Sequence, residues 1–202
     1  MRKLSRRFYQ GDTVEVAKNL LGKILFHRVD GVELMGRIVE VEAYVGAVDK
    51  ACHCYDNRRT DRTQVMFGPP GYAYVYLIYG MYNCMNVVTE KSGEGAAVLI
   101  RALEPTDGLK QMAINRYGKG LDELNKRQLK NLTNGPGKVC KALNITKANY
   151  GADLTGDRLF IVDDGYDSFE IGVSERINID YAEEAKEFQW RFFIKDNPNV
   201  SK

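Results

Sequence analysis

The chain has 202 residues, 44% of them hydrophobic and 28% charged, with 29 Lys and Arg against 27 Asp and Glu for a formal net charge of +2. That length suits one domain, residues 1–202, able to bury a core without disulfides or a structural metal, and no apolar run approaches the length of a membrane-spanning helix. The near-neutral total hides an asymmetry: residues 1–150 carry 23 basic against 15 acidic side chains, and residues 151–202 carry 6 against 12, so the first part is a candidate polyanion surface.

The opening MRKLSRRFYQ lacks the apolar stretch and small-residue cleavage site of a secretory signal, so a cytoplasmic protein is expected, nucleoid-associated if bacterial. DTVEVAKNLLG predicts a helix, with Asp12 or Thr13 as cap and Gly22 at the stop. KILFHR and VELMGRIVEVEAY predict a hairpin around Asp30-Gly31, with Gly36 a candidate bulge. YAYVYLIY, YNCMNVV and AAVLIRALE read as further strands whose connections are too short for helical crossovers, so the sheet is expected to be largely antiparallel. Helical patterns follow in LKQMAINRY, LDELNKRQLKNL and KVCKALNI, then strands in RLFIV and FEIGV, which gives an α+β fold.

In RIVEVEAY, strand alternation puts Val39, Val41 and Ala43 on one face and Glu40, Glu42 and Tyr44 on the other. A wet strand face explains that pattern, and so does a pair of carboxylates set for glycosidic-bond chemistry. Cys52-His53-Cys54 has metal-ligand residue types, but alternating directions and the lack of a second Cys pair with zinc spacing argue against a metal, and the four cysteines are expected to be reduced. Asn134-Gly135-Pro136-Gly137-Lys138 opens a helix and lacks the Gly spacing and the Ser or Thr of a nucleotide-binding P-loop.

Taken in order, GRIVEVEAYVG, the histidine of ACH nine positions after Tyr44, MFGPPGYAYVYLIYGMYNCMN and LIRALEP closely resemble the alkyladenine (3-methyladenine) DNA glycosylase family, with weaker echoes in NGPGKVCKAL and QWRFFI. The resemblance implies a curved, mainly antiparallel sheet flanked by helices, like the formyltransferase C-terminal domain. It also implies hydrolysis of the N-glycosidic bond of alkylated or deaminated purines (3-methyladenine, 7-methylguanine, hypoxanthine, etheno-adenine) in double-stranded DNA, without a cofactor. Glu42 matches the family's general base and Arg101 the arginine near the attacking water. Tyr44, His53 and Tyr76 match the rings around the flipped base, and Asn86 matches the pocket asparagine. Tyr79, with Met81 beside it, matches the wedge that fills the gap in the duplex.

An extruded base costs about a few kcal/mol, and stacking on an aromatic ring returns about 1–3 kcal/mol, so a wedge balances the flip. Tyr72, Tyr74 and Tyr76 share one strand parity while Tyr79 has the other and adjoins Gly80, consistent with a turn tip; for Tyr72, Tyr74 and Tyr82, core packing is the competing reading. Arg58, Arg59, Arg62 and Lys138 are candidate phosphate contacts, set against an ordinary solvated loop and helix start. Asn178 stands where relatives often have Gly, Thr63 where many have Asn, and Cys54 where Ser or Ala is usual. A monomer is expected, and a stacking-only nucleic-acid binder or a free-nucleoside glycosidase are the alternatives.

Overall fold

A computed structural model describes residues 1–201. Among them nine strands form one antiparallel sheet: β1 (Arg2–Lys3), β2 (Ile24–Val29), β3 (Val32–Tyr44), β4 (Ala73–Ile78), β5 (Tyr82–Val88), β6 (Ala97–Asp107), β7 (Leu159–Asp163), β8 (Ile171–Ser174) and β9 (Arg191–Ile194). The order is β1-β7-β2-β3-β6-β5-β4, with β9 added to β3 and β8 to β9, a curled α+β half-barrel. Helices α1 (Arg6–Tyr9), α2 (Thr13–Leu20), α3 (Leu109–Tyr117), α4 (Lys126–Lys130) and α5 (Pro136–Ala142) flank it, α2 packing on β3 and α5 on β5 and β6.

Of the two candidate caps of α2, Asp12 accepts from the Glu15 amide at 3.0 Å, while the Thr13 hydroxyl turns to Thr89 and Glu90. Val16, Ala17 and Leu20 bury the helix's apolar stripe. The β2–β3 hairpin turns at Asp30 and Gly31, both at positive φ, as a two-residue turn between right-twisted strands requires.

Strand β3 positions the site. Its register against β6 shifts at Gly36, where a Cβ would come within 2.9 Å of the Leu103 Cβ, and again around Glu40. Each shift adds local twist. Pairing with β2 ends at Arg37, and β9 takes up the free edge over Glu40–Glu42. The middle of β3 therefore lies between β6 and β9, with Val39, Val41 and Ala43 in the main core.

Three segments depart from the sequence reading. LDELNKRQLKNL is two pieces, a single 3-10 turn (Leu121–Glu123) and α4, because Asn125 and Gln128 form a reciprocal capping box that starts a new helix. Arg176–Ile179, just beyond the late strand predicted in FEIGV, is an irregular loop in which Asn178 has φ +61°. β1, α1 and β9 carry too few residues for periodicity to show them.

Candidate active site

Glu40 and Glu42 of β3 are both fully buried, at 0% exposure, so the wet-face explanation of the alternation does not hold. They share one guanidinium: Arg101 on β6 donates Nε to Glu40 at 3.1 Å and places Nη1 3.1 Å from Glu42 Oε1. Burial pulls the Arg101 pKa down, but Glu42 and Glu40 outweigh it and the net shift is upward.

Beyond Arg101 the two acids differ. Glu40 accepts from Arg191 Nε at 2.7 Å, the Ser201 amide at 2.6 Å and the Ser201 hydroxyl at 2.7 Å, giving it four donors against the roughly four lone-pair positions of a carboxylate. Glu42 has three donors: Arg101, the Ile177 amide at 2.8 Å to Oε1, and the Tyr44 hydroxyl at 2.8 Å to Oε2. Among the described residues the Tyr44 hydroxyl makes no other hydrogen bond.

A cavity of about 650 Å³ opens beside this cluster, within the range of small-molecule sites. Tyr44, Arg101 and Ile177, the three partners of Glu42, all line it, whereas of Glu40's partners only Arg101 does. One wall is aromatic. Tyr74 and Tyr76 on β4 stack with centroids 5.2 Å apart, and His53 meets Tyr76 edge-on at 4.8 Å. The Tyr74 hydroxyl lies 2.9 Å from His53 Nδ1, so strand parity brings Tyr74 and Tyr76 to one face as expected. Tyr72 packs on the same cluster. Asn86 on β5 is buried at the cavity and donates Nδ2 to the Tyr74 carbonyl at 3.1 Å.

The β4–β5 hairpin projects from the cavity's edge. Tyr79 (φ +52°) and Gly80 (φ +67°) form its turn, closed by the Met81 amide to the Ile78 carbonyl at 3.1 Å. Tyr79 is 72% and Met81 69% exposed, large side chains left in water at the hairpin tip. Arg58 and Arg59 are exposed in the loop after His53, Arg59 over the Phe67 ring. Lys138 lies at the cavity rim, bonded to the amide oxygens of Asn131 and Asn134 at 2.8 Å each, and burial and Arg116 lower its pKa. Arg62 is placed differently, with its guanidinium against the aromatic wall. Among the described residues no group of three or more His, Cys, Asp or Glu is placed to hold a metal ion, and all four cysteines are free and buried.

The model of the methylpurine-DNA glycosylase family matches residues 7–198 of this sequence. The chain belongs to that family. A relative from Alkaliphilus oremlandii (strain OhILAs) is 62% identical over 200 residues, 99% of each chain. One from Bacillus cytotoxicus is 58% identical over 200 residues, 96% of this chain and 97% of its own. One from Clostridium novyi (strain NT) is 55% identical over 202 residues, all of both chains. All three are provisionally named 3-methyladenine DNA glycosylase. Membership makes the protein a DNA glycosylase of base-excision repair, with DNA as its substrate. Among its described residues no helix is long and apolar enough to cross a membrane.

Several groups that shape the site of this glycosylase are silent in its sequence. Arg176 and Asp49 form a buried pair, with contacts of 2.6 and 2.8 Å, and Arg176 also donates to the Ala43 and Ala185 carbonyls. Its guanidinium lies 4.8 Å from the Tyr44 ring centre, and its position fixes Ile177, whose amide holds Glu42. The loop that follows needs the left-handed region at 178, where Asn is the side chain that tolerates it best after Gly. Asn178 suits that conformation.

Burial, and next to it Arg62, pull the His53 pKa down to about 4; burial lowers that of His27 as well. Below the unfolded value of about 6.5 the unfolded chain binds protons that the folded one refuses. Stability present above pH 6.5 is therefore lost as pH falls toward 4, by at most about 3 kcal/mol from His53. Urea titrations at pH 7.5 and 4.5 should show a smaller drop for His53→Gln than for the native chain; equal drops would contradict this origin.

Proposed function

We propose that this glycosylase is monofunctional: it flips an alkylated or deaminated purine out of duplex DNA into the cavity and hydrolyses its N-glycosidic bond with a water activated by Glu42, leaving an abasic site. The observation that carries this reading is the asymmetry of the two acids. Of the two, Glu42 alone has all its partners at the cavity wall, and one of those partners, the Tyr44 hydroxyl, makes no second hydrogen bond among the described residues and is free to yield a place to water.

In this mechanism Glu42 takes a proton from the water while its oxygen attacks C1′ from the face opposite the base, and the glycosidic electron pair leaves with the purine. Arg101 holds Glu42 in place, and the carboxylate also stabilises the oxocarbenium-like sugar. The purine would stack between Tyr44 and the Tyr76–His53 wall, with Asn86 testing its exocyclic group. His53, neutral at physiological pH, is able to hydrogen-bond a departing base but not to protonate it as imidazolium. Tyr79, flanked by Met81, fills the vacated stack, and Arg58, Arg59 and Lys138 contact phosphates. Substrates are 3-methyladenine, 7-methylguanine, hypoxanthine and etheno-adenine, acted on by a cytoplasmic monomer that needs no cofactor.

The decisive experiment offers duplexes containing one 7-methylguanine, hypoxanthine or etheno-adenine and follows free base and strand length. Base release with the strand intact until alkali is added is expected. Tight binding without release favours a stacking-only binder, and equal release from free nucleosides favours a nucleosidase. Strand scission without alkali overturns the monofunctional reading. Tyr79→Ala should weaken lesion-duplex turnover by about tenfold to a hundredfold, the equivalent of about 1–3 kcal/mol of stacking. Unchanged turnover and binding would remove the wedge assignment.

A further inference from the structure

Arg62 is exposed, yet its guanidinium folds back onto the aromatic wall. Nε donates to the Tyr74 hydroxyl at 3.1 Å, Nη2 lies 3.2 and 3.0 Å from the two ring nitrogens of His53, and Cζ sits 4.7 Å from the Tyr76 ring centre. Its partners are two phenol rings and an imidazole, none of them a carboxylate. The groups facing His53 are the Tyr74 hydroxyl, the Tyr76 ring and Arg62, with the Cys52 and Cys54 thiols on either side in the chain. A fixed positive charge thus rests on the rings proposed above to receive the base.

That placement has a chemical consequence, because the lesions fall into two charge classes. 3-Methyladenine and 7-methylguanine carry a positive charge on the purine ring system while joined to the sugar; hypoxanthine and etheno-adenine do not. A guanidinium on an aromatic ring satisfies the ring's negative quadrupole, for which a cationic base would otherwise compete. At several ångströms, in a partly water-excluded pocket, it also repels a second cation. A neutral base meets neither penalty and stacks on the same rings.

We propose that Arg62 is a specificity-determining residue, a resident cation that disfavours cationic purines relative to neutral ones at the Tyr76–His53 wall. The proposal rests on the base-flipping glycosylase reading. Cationic bases need less help, since they are better leaving groups, so the residue costs the enzyme least where the chemistry is easiest.

Single-turnover release should be measured from 7-methylguanine and hypoxanthine duplexes with the native enzyme, Arg62→Gln and Arg62→Lys. Arg62→Gln is expected to raise the 7-methylguanine to hypoxanthine rate ratio by about tenfold, the effect of losing one nearby charge. Arg62→Lys, which keeps the charge, should hold the ratio within about twofold. If Arg62→Gln slows both lesions equally, the residue is a wall support or a phosphate contact and the proposal is overturned; a shallower salt dependence of duplex binding would identify the latter. Native enzyme that releases neither base overturns the glycosylase mechanism, which separates that failure from this one.

Discussion

Glu42→Gln should lower base release from a lesion duplex by about 10²–10⁴-fold, the usual contribution of a positioned general base, while leaving lesion binding close to native. The second half of that expectation comes from the donors around the side chain. A glutamine is able to keep its carbonyl oxygen toward the Ile177 amide and Arg101 while its NH₂ group faces Tyr44, whose hydroxyl turns to accept instead of donate. The fold and the pocket are then retained and only the proton acceptor is lost. Single-turnover kinetics with excess enzyme, paired with equilibrium binding to the same duplex, separate the two. A variant that still released base within tenfold of the native rate would remove Glu42 from the mechanism. Loss of binding together with release would instead mean that the cavity had collapsed.

The largest expected effect on stability is at Asp49. Its carboxylate accepts from both Nη groups of Arg176 and from the Val45 and Ala51 amides, and the side chains of the pair have no access to solvent. Asp49→Ala leaves a buried guanidinium whose Nε already has no partner, and a broken buried pair costs about 3–5 kcal/mol. For a chain of this length that lowers the melting temperature by about 10 °C. Arg176→Met should cost less, because Asp49 keeps two backbone donors and methionine fills part of the space between Tyr44 and Trp190. The double variant should then be more stable than Asp49→Ala alone, since no charge is left buried. Thermal melts of the three variants test the order; equal losses in Asp49→Ala and Arg176→Met would mean that the pair is exposed in solution.

How much of this was legible in the sequence depends on how far apart the partners lie. The β2–β3 hairpin, β5 and α3 are local patterns with local turn residues, and their bounds follow from alternation or helical spacing. Tyr79 is legible for the same reason: its parity and the adjoining glycine place it at a tip without any tertiary information. The face of β3 carrying Glu40, Glu42 and Tyr44 was readable as a face, but not as a buried one. What buries it, Arg101, Arg191, Ile177 and Ser201, comes from positions 59 to 161 residues downstream with no periodic signal of their own. The same distance hides Arg176 and Asp49, which in the sequence look like ordinary surface charges. Arg62 is a different case. A cation in a polar loop reads as a phosphate contact, and nothing local shows it folding back over three rings.

The arrangement around Glu40 bears on when the protein becomes competent during its synthesis. Strand β3 emerges early, but two of the groups that hold its Glu40, Arg191 and Ser201, follow 151 and 161 positions later. Until they arrive, Arg101 is shared between two carboxylates with nothing to tether the first. Contacts of such long sequence separation form late in folding as well. On the proposed mechanism, a chain lacking those positions would keep the hairpin residues but leave Glu40, beside the proposed general base, without the donors Arg191 and Ser201.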